Sequence, residues 1–558
     1  MAAGNDYDVV VIGAGAGGLA AATFAALEGA RVLLVERTGF VGGTTAYSAG
    51  TAWVPNTRLA ATVGAEDSPE RALAYLDSAV GNRAPRAMRE AFLAAGPKAI
   101  HRLMDATVVQ FRARPFHPDY LHELEGSTDR GRALEPEPFR AAALGRDLNL
   151  IRPAIPEFTI LGGLQVDRTD IGHLLSMGKS LKSLTYSVGL VGAYLVDRLR
   201  FGRSARLVMG NALVGRLLFA AKNAGVELRV STQVTALAPE AGGMRVSFAG
   251  GETALARGGV ILATGGFSLH PARRAEMLPR PLAEHSPGAP GHTGELHDIA
   301  LGLGARYGEG AASHVFWAPV SKRQRADGSW AVFPHFVFDR SKPGIIAVGA
   351  DGRRFTNEAR SYHEFALAQY ATGNIPAFLV TDAEGLRKYG LGMVRPGGHG
   401  AKALAADGYL VQAPTLAGLA GKLGVDAGNL TETVEEMNGF AETGVDARFH
   451  RGETVYERAN GDASHGPNPT LGRIGTGPFC AVRLWPGDIG AATGLATDEH
   501  ARVLDGEGKP IPGLFACGND MQSIMGGVYP GPGITIGPAI TFGYIAALDA
   551  VGRTGASG

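Results

Sequence analysis

Along the first forty residues the spacing of apolar positions changes three times. Residues 7–12, Tyr-Asp-Val-Val-Val-Ile, form a short run rich in β-branched side chains, and small residues fill 13–18. An alanine-rich stretch covers 19–27, and a second apolar run, Arg31-Val32-Leu33-Leu34-Val35-Glu36, follows. This order predicts strand, tight turn, helix and parallel strand, a βαβ unit. Residues 259–263, Gly-Val-Ile-Leu-Ala, predict another strand buried on both faces, because no polar position interrupts them. Glycine- and proline-rich stretches at 286–294, 396–400 and 460–477 mark loops or hinges.

One segment breaks the pattern. Residues 183–196 carry neither charge nor histidine, while Lys179, Lys182, Arg198, Arg200, Arg203 and Arg206 flank them, opposed by Asp197 alone. The run falls short of the ~20 residues that a membrane-spanning helix needs. Two readings stay open for it: a helix or hairpin packed inside the protein, and an interfacial element lying on anionic lipid.

At 558 residues, 45% hydrophobic and 19% charged, the chain exceeds one core and predicts about two or three domains. Its 81 glycines form no period-three or Gly/Ser tract, so they imply turns and close backbone approaches. Lys+Arg and Asp+Glu are both 53, which leaves no overall field to draw nucleic acid, and no such partner is expected. Cys480 and Cys517 form neither CxxC nor a ligand spacing, and His297, His314 and His335 are equally isolated, so no metal is expected. The cysteine usage suits a reducing compartment. No basic and apolar leader precedes the first strand, which makes the cytoplasm the expected location, at the inner face of the membrane if residues 171–209 meet lipid. A GxSxG elbow is absent, and Arg273-Arg274 and Arg353-Arg354 are too short for basic patches.

Gly13, Gly15 and Gly18 make a GxGxxG, a weak signal alone. Here it lies between a predicted strand and helix, and Glu36 closes the next strand about 20 residues on, which is the dinucleotide fingerprint. Such glycines let the backbone approach a pyrophosphate at the helix N-terminus, and Glu36 would accept ribose hydroxyls. Three further segments follow in order: Gly42-Gly43-Thr44-Thr45, Ala263-Thr264-Gly265-Gly266 and Gly513-Leu514-Phe515-Ala516-Cys517-Gly518-Asn519. They resemble the GG(T/S), ATGG and (Y/F)A(A/C)GN signatures of two-dinucleotide-domain flavoproteins, which implies FAD as the cofactor. Gly352-Arg353-Arg354-Phe355-Thr356-Asn357-Glu358 resembles the GxRFxNE element of the fumarate reductase/succinate dehydrogenase flavoprotein superfamily.

The resemblance implies an α/β chain: a Rossmann-like FAD-binding domain with an inserted α+β catalytic domain. The first FAD-binding part is placed at 1–312, including the insertion at about 171–209, the catalytic domain at 313–490, and the second FAD-binding part at 491–558. Implied cofactor contacts are Gly13, Gly15, Gly17, Gly18, Glu36, Arg37, Gly42, Gly43, Thr44, Thr45, Ser48, Ala263, Thr264, Gly265, Gly518, Asn519, Thr535 and Ile536. Non-covalent FAD is expected, because residues 40–56 contain no histidine for the superfamily's usual linkage.

From Met521 to Leu548 there is no Lys, Arg, His, Asp or Glu. This stretch should border an apolar ligand, and no cationic clamp for a dicarboxylate is evident, so succinate and fumarate are disfavoured. Its core, Tyr529-Pro530-Gly531-Pro532-Gly533-Ile534-Thr535-Ile536-Gly537, closely resembles the 3-ketosteroid dehydrogenases, most of all those of Δ1 type. The likeness extends through 40–56, 415–452 and 494–518 and lapses at 171–209. It implies 1,2-desaturation of a 3-ketosteroid to a 1,4-dien-3-one, with hydride passing to flavin N5 and on to an external electron acceptor. By the same resemblance the Tyr529 hydroxyl and Gly533 N–H polarise the C3 carbonyl, Tyr362 is the general base, and Tyr120, in Pro118-Asp119-Tyr120, assists it. Tyr47, His363 and Tyr544 are rival candidates. The alternatives are a Δ4-(5α)-ketosteroid dehydrogenase, a fumarate/succinate-type flavoprotein, and a catalytically silent flavin-binding membrane-associated protein; Gly531-Pro532-Gly533 favours Δ1 over Δ4.

Overall fold

The structure is a computed structural model that describes residues 6–337 and 339–555. Its first sheet is built around Asp6–Ile12, which pairs in parallel with Val32–Val35 on one side and Thr253–Leu262 on the other. Glu227–Arg229 extends the sheet beyond Val32–Val35, and Pro510–Ala516 runs parallel to the end of Thr253–Leu262. Val9, Val10, Val11, Leu33, Leu34 and Ile261 are wholly buried, as unbroken apolar runs in a parallel sheet demand. The helices Ala16–Leu27 and Ile536–Gly555 pack on each other beside these strands. The first half of Thr253–Leu262 stays parallel to Asp6–Ile12 on one edge and on the other carries an antiparallel branch, Gly243–Phe248 and then Val234–Glu240.

The first helix starts at Ala16, three residues before the stretch predicted from alanine content. Gly17 and Gly18, read as turn residues, are helical because the helix is pressed against its surroundings. A Cβ on Gly18 would stand 1.8 Å from the Gly13 carbonyl oxygen, and one on Gly17 would stand 3.2 Å from Cys517 Sγ.

A second, antiparallel sheet has the order Trp330–Pro334, Val315–Gln324, Phe479–Ala491, Ala377–Thr381, Ile345–Val348, with Val411–Ala413 also paired to Phe479–Ala491. Leu416–Leu423 and Ala427–Thr443 pack one face against Ile346, Val348 and Val380. Phe365 of Tyr362–Thr372 packs against Ile345, Leu379 and Val482 on the other. All strands of this sheet fall between the parallel strands Thr253–Leu262 and Pro510–Ala516, so the chain leaves the first sheet, builds the second and returns.

The apolar run at 183–196 belongs to a surface helix, Leu181–Phe201, preceded by Arg168–Leu175. Ser183, Ser187, Leu190, Tyr194 and Asp197 form its one buried stripe. Asp197 pairs with Arg140 at 2.8 Å and accepts the Ala205 N–H at 2.9 Å; Arg206 pairs with Asp170 at 3.0 Å. The remaining faces present Leu181, Val188, Leu195, Val196 and Leu199, the last 91% exposed. This corrects the reading of a segment packed inside the protein: only one narrow stripe docks, with Leu190 and Tyr194 packed on Leu164 beside Ser183, Ser187 and Asp197, and most of the large apolar side chains point outward. Among the described residues no helix is long and apolar enough to cross a membrane.

Candidate active site

One cavity of about 440 Å³ runs from the ends of the first parallel strands to the edge of the second sheet. At its first end Gly13 adopts φ +102°, and a Cβ there would stand 2.3 Å from the Ala263 carbonyl oxygen. Gly15 is different: no atom lies within 4 Å of where its Cβ would be, so space opens at the N-terminus of the first helix. Glu36, at the end of the second strand, accepts the Ala14 N–H at 3.0 Å, the Thr38 N–H at 2.9 Å and the Thr38 hydroxyl at 2.8 Å. Its carboxylate is thereby fixed at the cavity edge, beside Arg37, which pairs with Glu295 at 3.3 Å.

The turn Gly43–Tyr47 brings Gly43, Thr44 and Thr45 to the wall, with Ser48 following. Thr45 Oγ1 accepts the Ala16 N–H at 3.3 Å and Thr44 Oγ1 the Ala289 N–H at 3.0 Å. Ala263, Thr264 and Gly265 also line the cavity, and Asp520 holds their turn in place. It accepts the Thr264 hydroxyl and the Gly266 N–H, each at 2.8 Å, and lies 3.0 Å from His297 Nε2. Burial alone would raise the Asp520 carboxyl, but His297 and Thr264 keep it below the usual carboxylate range. Gly17, Gly518, Asn519, Thr535 and Ile536 complete this end.

Two of the implied cofactor contacts do not reach the wall. Gly18 is pressed against Gly13, and Gly42, at φ +113°, packs on Val214 and donates its N–H to Ala14 at 2.7 Å. They shape the turns that carry the lining residues. A residue without a motif joins them: His292 lies over Gly265, with Nε2 3.5 Å from Thr44 Oγ1, and burial brings its imidazole down to about 4, so it is neutral. An open helix N-terminus, a ring of hydroxyls and a fixed carboxylate make a donor and acceptor set that fits the pyrophosphate and ribose of FAD.

At the other end four tyrosines meet. Tyr362 is the first residue of its helix, whose N-cap Ser361 accepts the Glu364 N–H at 3.3 Å. Tyr120 sits in a loop pinned to the C-terminal glycine turn, its N–H donating to the Pro530 carbonyl at 2.8 Å. Beside it the buried Asp119 accepts Trp53 Nε1–H at 2.7 Å and pairs with Arg132 at 2.8 Å. The Tyr529 ring lies 5.0 Å from Tyr362, edge-on, and 5.8 Å from Tyr120, stacked; Tyr120 and Tyr362 are 5.6 Å apart. The three phenols thus face one another across a few ångströms, with Phe316 edge-on to Tyr529 at 5.2 Å. Burial pushes all three phenols up, Tyr362 well above its ordinary 10 because its neighbours' charges act the same way.

Gly533, at φ +93°, is held with its carbonyl accepting the Trp53 N–H at 3.0 Å. A Cβ there would stand 2.3 Å from the Thr51 carbonyl oxygen, so glycine alone fits. Tyr456, which the sequence does not single out, lies tilted 4.7 Å from Tyr120, and Phe336 lies 5.0 Å from Tyr362. Of the rivals, Tyr47 lines the cavity, while Tyr544 packs on Phe24 away from it. His363 accepts the Trp317 N–H at 3.1 Å and is lowered by burial to about 4.

The uncharged 521–548 wall is not the whole boundary. Arg112, Arg114 and Arg168 also line the cavity, with Arg37 and Arg152, so cations reach it from outside the uncharged 521–548 stretch. They come from segments about 400 residues earlier in the chain, so the composition of one loop could not reveal them. Ser321, His335 and Asp339 are hydrogen-bonded in series, at 2.7 and 2.6 Å, but lie buried off the cavity wall and pin the second sheet's edge. Among the described residues no group of three or more His, Cys, Asp or Glu side chains could hold a metal ion.

The FAD binding domain family matches residues 8–536. A 3-oxosteroid 1-dehydrogenase of Mycolicibacterium smegmatis is 35% identical over 99% of this chain and 99% of its own length. A 4-oxocyclohex-2-ene-1-carboxylate 5-dehydrogenase of Sinomonas cyclohexanicum is 36% identical over 97% of this chain and 93% of its own length. The crystal structure of 3-ketosteroid delta1-dehydrogenase from Sterolibacterium denitrificans, in complex with 1,4-androstadiene-3,17-dione, superposes with a TM-score of 0.90 at 34% identity, covering 98% of this chain and 100% of that one.

Proposed function

This chain belongs to the FAD-binding family that contains the 3-oxosteroid 1-dehydrogenases, and we propose that it desaturates the C1–C2 bond of 3-ketosteroids to give 1,4-dien-3-ones. The carrying observation is that Tyr120, Tyr362, Tyr529 and Gly533 converge in one aromatic cage, in the same cavity whose other end fits FAD. Bound FAD supplies the acceptor for the hydride leaving C1.

The chain's own residues handle the proton and the carbonyl. A proton beside a ketone is too weak an acid unless charge building on the oxygen is met by fixed donors. The Tyr529 hydroxyl and the Gly533 N–H serve as those donors to the C3 oxygen, each contributing ~3–4 kcal/mol when well aimed. The edge-on contacts of Tyr529 with Phe316 and Tyr362 and the tight Gly533–Thr51 packing keep both from turning away. Tyr362 takes the C2 proton. Because its phenol rests neutral, Tyr362 acts as base in the fraction that has released its proton to solvent, and Tyr120, its ring 5.6 Å away, assists by facing the phenolate with its hydroxyl-bearing ring. Trp53, Tyr456 and Phe336 line or back this end and exclude water.

The same proposal places the catalytic unit at 313–490, between two FAD-binding segments at 1–312 and 491–558. FAD is held without a covalent bond and is reoxidised by an external acceptor. The exposed apolar faces of Leu181–Phe201, edged by Lys179, Lys182, Arg198 and Arg200, lie on anionic lipid at the cytoplasmic face of a membrane. The test of the activity is to mix the yellow holoenzyme anaerobically with androst-4-ene-3,17-dione. Bleaching of the flavin band, with the C1=C2 product identified by NMR, supports the proposal. An unbleached flavin contradicts it, as does bleaching only with a 5α-reduced steroid to give the C4=C5 product.

A further inference from the structure

We infer that the chain has a second ligand site, away from the catalytic cavity, which takes a phosphate group at the N-terminus of the helix Arg86–Ala106. The site is a cleft of about 620 Å³ between that helix and the segments 306–309 and 522–524. It shares no lining residue with the catalytic cavity, so its occupant competes with neither FAD nor the ketone.

Three kinds of donor meet there without an acceptor. The helix is 21 residues long, and its N-cap, Pro85, supplies no side-chain cap. Among the described residues nothing accepts the N–H groups of Arg86 and Ala87, so the positive end of the helix opens onto the cleft. Gln522, only 8% exposed, is the second donor. Its Oε1 accepts the Gly494 N–H at 3.1 Å, which sets the orientation of the amide, and its Nε2 makes no hydrogen bond. Gly308 packs so closely on this side chain that a Cβ there would stand 2.4 Å from Gln522 Cγ, which leaves the amide no room to turn. A buried donor without an acceptor is costly, and a ligand oxygen placed on it relieves that cost. Arg306 is the third: it is partly buried in the cleft wall, and among the described residues its guanidinium has no ion-pair or hydrogen-bond partner.

The other charges of the cleft are engaged or stand at its edge. Asp77 is shared by Arg89 at 2.8 Å and Arg86 at 3.2 Å, and Arg86 also meets Glu90 at 3.4 Å. Glu309 is exposed and makes no ion pair among the described residues. What the cleft lacks is one acceptor that several donors can share. A phosphate brings three such oxygens together, and a helix N-terminus favours its charge. Met88, Leu504 and Ile524 line the remainder, so an ester with an apolar or ring-bearing body fits beside the phosphate. Free phosphate and a phosphate monoester share this chemistry.

The experiment is a calorimetric titration of the full chain with inorganic phosphate and with AMP, FAD being saturating so that the nucleotide end of the catalytic cavity is filled. Saturable one-to-one binding of at least one probe is expected. AMP bound at least tenfold more tightly than phosphate names a nucleotide ester as the source; any smaller ratio names free phosphate. Arg306→Gln removes the guanidinium. Gln522→Glu keeps an oxygen for the Gly494 N–H but puts an acceptor where the donor stood. Each variant weakens binding at least tenfold, with flavin content and melting temperature measured alongside to show that the fold is kept. No saturable binding of either probe, or binding that a folded variant retains at the parent's strength, overturns the inference.

Discussion

Tyr362 sets the pH behaviour of the site, because a base that rests protonated must first be emptied. Burial and the nearby phenols of Tyr120 and Tyr529 hold the proton on, and the phenolate fraction grows tenfold for each pH unit below the pKa. We therefore expect kcat/KM on androst-4-ene-3,17-dione to climb from pH 7 to pH 10 without levelling; a plateau reached below pH 8 would assign the proton to a different group. His292 bears on a second outcome at this scale. It is a neutral histidine in the cofactor end of the cavity, and acid precipitation of the holoenzyme should nonetheless release all of the FAD into the supernatant, while flavin retained in the pellet would mark a covalent bond to it. Tyr120, Tyr362 and Tyr529 could be picked from the sequence because each lies in a short stretch that resembles a family element. Tyr456 and His292 lie in none, and reach the cavity only through tertiary packing. The arginine wall was hidden for the same reason: Arg114 and Arg168 are more than fifty residues apart, and Arg168 borders the segment where the resemblance lapses.

Among the elements, Leu181–Phe201 departs most from its setting. Its docked stripe is held by hydrogen bonds and ion pairs, while Val188, Leu195, Val196 and Leu199 stand more than half exposed. Replacing Leu195 and Leu199 together with Glu should weaken sedimentation with phosphatidylserine vesicles at least tenfold without lowering turnover of a soluble ketone; unchanged sedimentation would remove lipid as the surface this helix meets. Sequence pattern identified the apolar core of this helix but not its side of the protein, since a run with few polar positions has no face to read. The first strand, turn and helix were legible because a parallel sheet needs unbroken apolar runs and the turn needs glycine. Of Thr253–Leu262 only the end was legible: Arg257, Gly258 and Gly259 interrupt the pattern where the strand exchanges an antiparallel partner for a parallel one.

On the scale of the molecule, the cavity is lined by residues from Ile12 to Ala539, drawn from both sheets and the loops between them. A cofactor that bridges so many segments should stabilise the whole chain: FAD at a hundred times its Kd adds ~2.7 kcal/mol by mass action. Calorimetry of the apoprotein should then show a melting temperature that rises by a few degrees with added FAD, and no rise would deny that the cavity binds it. The interleaving of the sheets follows from the order of four glycine signatures along the chain, but the shape of the cage does not, because it depends on how the second sheet meets the turn at 526–537. The account depends above all on that turn, where Tyr529 and Gly533 draw charge onto the ketone oxygen. The most direct test is the rate of flavin reduction when holoenzyme and its Tyr529→Phe variant are mixed anaerobically with androst-4-ene-3,17-dione in a stopped-flow instrument. Loss of one aimed donor predicts a fall of about 10²–10³ with the flavin still bound; a variant that reduces its flavin as fast as the parent would contradict it.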